Sequence, residues 1–130
     1  MPYIYEKVDT LQDKPKVRNK ECVALVQHYI ATLPRSTTWK EGKAVLGNKD
    51  IVKGTAIATF VDGRYLSLPT GNHAAFYISQ DANGIVIMDQ WADDKKKPVV
   101  SKWHVRKKGK HPNGKYIDPS NNAEAYSVIE

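Results

Sequence analysis

The chain has 130 residues, of which 41% are hydrophobic and 26% charged, an ordinary globular balance that suits one domain, residues 1–130, with its own core. Its single cysteine rules out an intrachain disulfide framework, and the net charge of +6 predicts attraction to polyanions without choosing among nucleic acid, anionic lipid and acidic envelope polymers. No apolar run approaches membrane-spanning length, so no membrane insertion is expected.

Taken in order, the N-terminus lacks the basic segment and apolar run of a signal peptide, so synthesis in a reducing cytoplasm is expected. Residues 1–18 are polar, contain Pro2 and Pro15, and read as a loosely packed entry arm. Asn19 is a good N-cap for a helix over residues 20–33, stopped by Pro34. That count puts Cys22 at the third helical position, with Val26, Tyr29, Ile30 and Leu33 on one apolar stripe. A cysteine at a helix start meets converging N–H groups, which favour thiolate over thiol. Alone on an apolar face, a cysteine is more often a small buried hydrophobe.

Residues 35–53 read as a long loop with one short helix, capped by the box Thr38-Trp39-Lys40-Glu41. Trp39 is either a core anchor or a wall of a groove. Residues 54–61 are apolar and β-branched, a central strand ended by the turn Asp62-Gly63. Residues 73–79 and 85–91, joined by Asp81-Ala82-Asn83-Gly84, form the clearest hairpin. Residues 99–105 make a fourth strand, residues 106–122 a basic loop, and residues 125–129 a last short strand. The predicted fold is α+β: a Cys-bearing helix packed on an antiparallel meander of about five strands.

The hairpin carries what a cysteine nucleophile needs. His73 opens its first strand and Asp89 lies near the end of the second, so antiparallel pairing brings them together. A helix laid across that sheet can set Cys22 over His73. His73 then takes the thiol proton and later gives it to the leaving amine, Asp89 orients the imidazole, and N–H groups at the helix start face the oxyanion. Singly each residue has an ordinary explanation; three together ask for a common one.

This order resembles the NlpC/P60 and CHAP superfamily of papain-like cysteine amidases. The matching words are Glu21-Cys22-Val23-Ala24-Leu25-Val26, the strand from Gly54 to Phe60, Gly71-Asn72-His73-Ala74-Ala75-Phe76-Tyr77, and Asp89-Gln90-Trp91. Glu21 stands where CHAP enzymes usually have Gln, and Asn72 where a glycine often precedes the His. An ionised carboxylate cannot donate to an oxyanion. The resemblance implies catalysis by Cys22, His73 and Asp89, with Gln90 as the alternative third residue, and substrate contacts from Trp39, Asn72, Gln90 and Trp91. It implies hydrolysis of an amide bond in bacterial cell-wall peptide. Leaderless members include type VI secretion effectors, delivered to the periplasm of a target cell and met by a cognate immunity protein in the producer.

Two rival readings come from other residues. The stretch Ser101-Lys102-Trp103-His104-Val105-Arg106-Lys107-Lys108-Gly109-Lys110-His111 could bind nucleic acid, or form a nuclease through His104 and His111; a solvated face is the commoner meaning of such a run. An inactive wall- or partner-binding module is the other. With no His-Glu-x-x-His and no paired cysteines, neither metal nor cofactor is expected.

Overall fold

The computed structural model describes residues 2–130. In those residues one α-helix, α1 (Cys22–Tyr29), precedes six strands: β1 (Glu41–Ala44), β2 (Ala56–Thr59), β3 (Ala74–Asp81), β4 (Gly84–Asp89), β5 (Ser101–Arg106) and β6 (Tyr126–Ile129). They form one antiparallel sheet in the order β1-β6-β2-β3-β4-β5. The α+β class and the Cys-bearing helix on an antiparallel sheet are as expected, and the arrangement is papain-like. The plain meander is not. β6 returns from the far end of the chain to lie between β1 and β2, and β1 occupies part of the expected loop.

The helix is shorter than its sequence pattern. Arg18 and Lys20 both have positive φ, so no helix can begin before Glu21. Asn19 caps by a different route, its Oδ1 accepting the Glu21 N–H at 3.0 Å, and Glu21 becomes the N-cap residue. Cys22 is therefore the first helical residue, not the third. At the other end Ile30 leaves the helix for an extended conformation, well before Pro34. Leu25, Val26, Ile30 and Leu33 are all buried against Phe76 and Met88, so the stripe persists although the helix under it does not.

Two further expectations are corrected. The entry arm is not loose. Val8 and Leu11 are fully buried, in a 3-10 turn over Val8–Leu11, and Tyr5 N–H bonds the Gly54 carbonyl at 2.9 Å. Two apolar residues among polar ones sufficed to anchor it. The Thr38–Glu41 capping box does not form either: a 3-10 turn covers Ser36–Thr38, and Glu41 starts β1 opposite Ile129. The sheet edge claims Glu41, whose carboxylate accepts from Ser127 Oγ at 2.7 Å.

The hairpin forms as read. Phe76 pairs with Met88 and Tyr77 with Ile87. Carried on by the period-2 pleat, this register puts His73 and Asp89 on the same side of adjoining strand ends. Gly84 is required where it stands, because a Cβ there would run into the Val105 carbonyl oxygen of β5. Asp62 and Gly63, both at positive φ, close a tight turn with Val61 and Arg64 bonded across it. One core lies between α1 and the sheet; a second, around Ile57, Tyr77, Ile87 and Tyr126, covers the other face. No helix among the described residues is long and apolar enough to cross a membrane.

Candidate active site

Cys22 stands on the first turn of α1, where main-chain N–H groups lack intrahelical partners. It is 9% exposed and lines a cleft with Glu21, Leu68, Pro69 and Asn72. The cleft has two adjoining lobes of about 440 and 500 Å³; the larger is also lined by His73, Trp91, Lys96 and Trp103. Thus the sulfur is neither walled in by aliphatic groups nor turned from the imidazole.

His73 is buried at the start of β3. Its Nε2 lies 2.7 Å from Asp89 Oδ2, and its main-chain N–H donates to Thr59 Oγ1 at 3.0 Å. The Cys22 thiol interacts electrostatically with the same ring. Burial alone would lower the His73 pKa. The hydrogen bond and charge of Asp89, joined by those of Cys22, outweigh it and push His73 up to about 10. For Cys22, burial works to raise the pKa. The hydrogen bond and charge of His73, helped by the Ala74 N–H and the Tyr65 hydroxyl, overcome this and hold the thiol below its ordinary value. Both shifts favour the thiolate–imidazolium form of the pair.

Asp89 is completely buried and held from three sides. Besides His73, Trp103 Nε1 donates to Oδ2, and Lys97 Nζ sits 2.6 Å from Oδ1. The Lys97 approach is off the hydrogen-bond direction of Oδ1, so that contact acts as an ion pair. Lys97 is itself buried, donates to the Ser101 carbonyl at 3.1 Å and lies 4.7 Å from the centroid of Trp91. Trp91 meets His73 edge-on at 6.2 Å and Trp103 at 5.8 Å, forming one wall of the cleft.

The remaining expected residues divide. Asn72 and Trp91 line the cleft. Gln90 does not reach it. Fully buried, its Oε1 accepts from Val17 N at 2.9 Å, and its Nε2 donates to the carbonyls of Val17 at 3.1 Å and Glu21 at 2.8 Å. Gln90 thus ties the end of β4 to the start of α1 and is neither a substrate contact nor the partner of His73. Trp39 is a core anchor: it is buried, its indole donates to the Pro34 carbonyl at 2.9 Å, and its ring backs Tyr65 at 5.0 Å.

His104 and His111 lie elsewhere. His104 Nε2 is 3.0 Å from Asp81 Oδ2, and His111 sits in a turn of the basic loop; neither lines the cleft. Sequence reasoning missed Tyr65, Lys97 and Trp103. Tyr65 falls in a loop without periodicity, and Lys97 ends a run of three lysines that reads as solvated. Trp103 carried a signal, since it shares a face with the inward-facing Val105 on a strand that pairs with the one ending at Asp89.

The sequence matches the family model for domesticated amidase effector 2, Dae2, over residues 9–129. It is 52% identical over 134 residues to a Type VI secretion amidase effector 2 protein of Salmonella typhi, with 100% of both chains covered. It is 38% identical over 120 residues to the domesticated amidase effector 2 of Ixodes scapularis, covering 88% of this chain and 73% of that one. The solved structure of a Type 6 secretion amidase effector 2 (Tae2) superposes with a TM-score of 0.92 at 52% identity, covering 98% of this chain and 94% of the other. With nearly its whole length matched, the chain belongs to the domesticated amidase effector 2 family.

Proposed function

We propose that this protein hydrolyses an amide bond of bacterial cell-wall peptide by cysteine nucleophilic catalysis. The observation that carries the reading is the buried line of Asp89, His73 and Cys22, open at its sulfur end to a cleft. The Cys22 thiolate attacks the carbonyl carbon, and the C=O electron pair moves onto oxygen. The intermediate collapses as the C–N bond breaks, and His73 gives its proton to the departing amine. Water then attacks the thioester, His73 takes its proton, and the acid product leaves the regenerated cysteine. Asp89 keeps the ring oriented and supports its charge. Asn72 and Trp91 are the cleft residues we assign to substrate contact.

The family adds the biological setting. Its relatives are named as type VI secretion amidase effectors, which supports antibacterial delivery of this protein into a target cell and an immunity protein that guards the producer. The net charge of +6 favours adsorption to an anionic wall. Digestion of purified peptidoglycan by wild type and Cys22→Ala, with products read by mass, tests the proposal. New amine-bearing fragments from the wild type alone are expected. Equal fragments from both proteins, or none from either, would overturn it.

A further inference from the structure

Glu21 takes the place from which a side-chain amide would donate to the oxyanion in the resembled enzymes, and a carboxylate there has no proton to give. The cleft holds another donor. Tyr65 Oη lies 3.7 Å from Cys22 Sγ, and Tyr65 lines the same lobe as Cys22 and Asn72. We propose that the Tyr65 hydroxyl, aligned by Asn72, is an oxyanion donor of this enzyme, acting with the N–H groups at the start of α1.

The hydrogen-bond directions support this. Asn72 Oδ1 accepts from the Leu68 main-chain N–H, which fixes which end of the amide faces which way. Its Nδ2 is thereby turned to Tyr65 Oη, at 3.4 Å. The Tyr65 oxygen accepts from that amide and keeps its own proton for the Cys22 side. The ring cannot swing away easily, being buried against Trp39. Burial, followed by the charge and hydrogen bond of Cys22, raises the Tyr65 pKa, so the hydroxyl remains a donor throughout the working range.

With Asn72 donating to the Tyr65 oxygen, this proton is directed at the Cys22 sulfur. When sulfur adds to the carbonyl carbon, negative charge passes from sulfur to an oxygen two bonds away. A donor beside the sulfur is then within reach of that oxygen. The hydroxyl donates a hydrogen bond throughout and transfers no proton; the leaving amine receives its proton from His73.

This inference rests on Cys22 being the nucleophile, and the experiment separates the two. Peptidoglycan digestion and iodoacetamide alkylation are measured for wild type, Tyr65→Phe and Asn72→Asp, with thermal melting to confirm folding. Alkylation displaces iodide at a saturated carbon and forms no oxyanion. Tyr65→Phe should lower kcat by roughly 100- to 1,000-fold, while its limiting alkylation rate, read at the high-pH plateau, stays within about threefold of wild type. Asn72→Asp keeps the acceptor for Leu68 but offers Tyr65 an oxygen instead of N–H. The hydroxyl should then turn to it, and kcat should fall in the same direction. A Tyr65→Phe protein that digests at the wild-type rate overturns the inference, as does one whose plateau alkylation falls as far as its kcat. Should Tyr65→Phe fail to fold, Asn72→Asp decides by the same comparison with KM read beside it: a fall in kcat at unchanged KM supports the inference, and a raised KM at unchanged kcat, the mark of a lost substrate contact alone, overturns it. Failure of the nucleophile reading looks different: Cys22→Ala would digest as the wild type does.

Discussion

At the residue scale, Lys97 carries a consequence that its neighbours do not. Three lysines stand in a row, yet Lys95 and Lys96 are exposed while Lys97 is buried on the carboxylate of Asp89. Removing one partner of a buried pair strands the other charge. Lys97→Met keeps the stem and should destabilise the fold by about 3–5 kcal/mol, read as a lower urea midpoint. Lys95→Met should stay within about 0.5 kcal/mol of wild type. Equal midpoints for the two variants would show that Asp89 does not need its cation. The same residue marks a limit of sequence reading. The three lysines share one composition, and burial of the third is decided by Asp89 and Trp91 across the cleft wall.

At the element scale, the site exists because the end of a hairpin and the start of a helix are held together. Topology joins His73 to Asp89. Gln90 joins both to Cys22, with three bonds to the chain just before α1. Gln90→Leu would fill similar space but leave the Val17 N–H and two carbonyls without those partners. Each buried group so stranded costs about 1–3 kcal/mol where water cannot reach it. We expect a loss of at least about 3 kcal/mol by urea unfolding, together with a kcat lowered more than about tenfold as the helix start loosens. An unchanged kcat in a folded Gln90→Leu protein would show that α1 is positioned by its apolar face alone.

What was readable at this scale follows from locality. The β3–β4 hairpin announced itself through alternation and the turn at Asp81-Ala82-Asn83-Gly84, and with it came the meeting of His73 and Asp89. β6, by contrast, lies between strands far from it in sequence, and no local signal states such a pairing. The helix start was misplaced by two residues because Lys20, an ordinary helix former, sits at φ 71°. Left-handed backbone at a non-glycine residue is imposed by its surroundings, here by the Asn19 turn and by Gln90 gripping Val17 and Glu21.

At the scale of the whole molecule, a sulfur and an imidazole fifty-one residues apart in sequence meet only when helix, hairpin and entry arm close together. Their titration therefore reports the assembled fold. The direct measurement is the pH dependence of Cys22 alkylation by iodoacetamide, in wild type, in His73→Ala and in wild type unfolded by urea. Alkylation follows the thiolate. Because His73 holds the Cys22 pKa down, the native inflection should lie below the ordinary thiol value of about 8.5. In His73→Ala, burial is opposed only by the Ala74 N–H and the Tyr65 hydroxyl, and the inflection should rise above the native one; in urea it should return to the ordinary value. A native inflection at or above the ordinary value, unmoved by His73→Ala, would contradict the account.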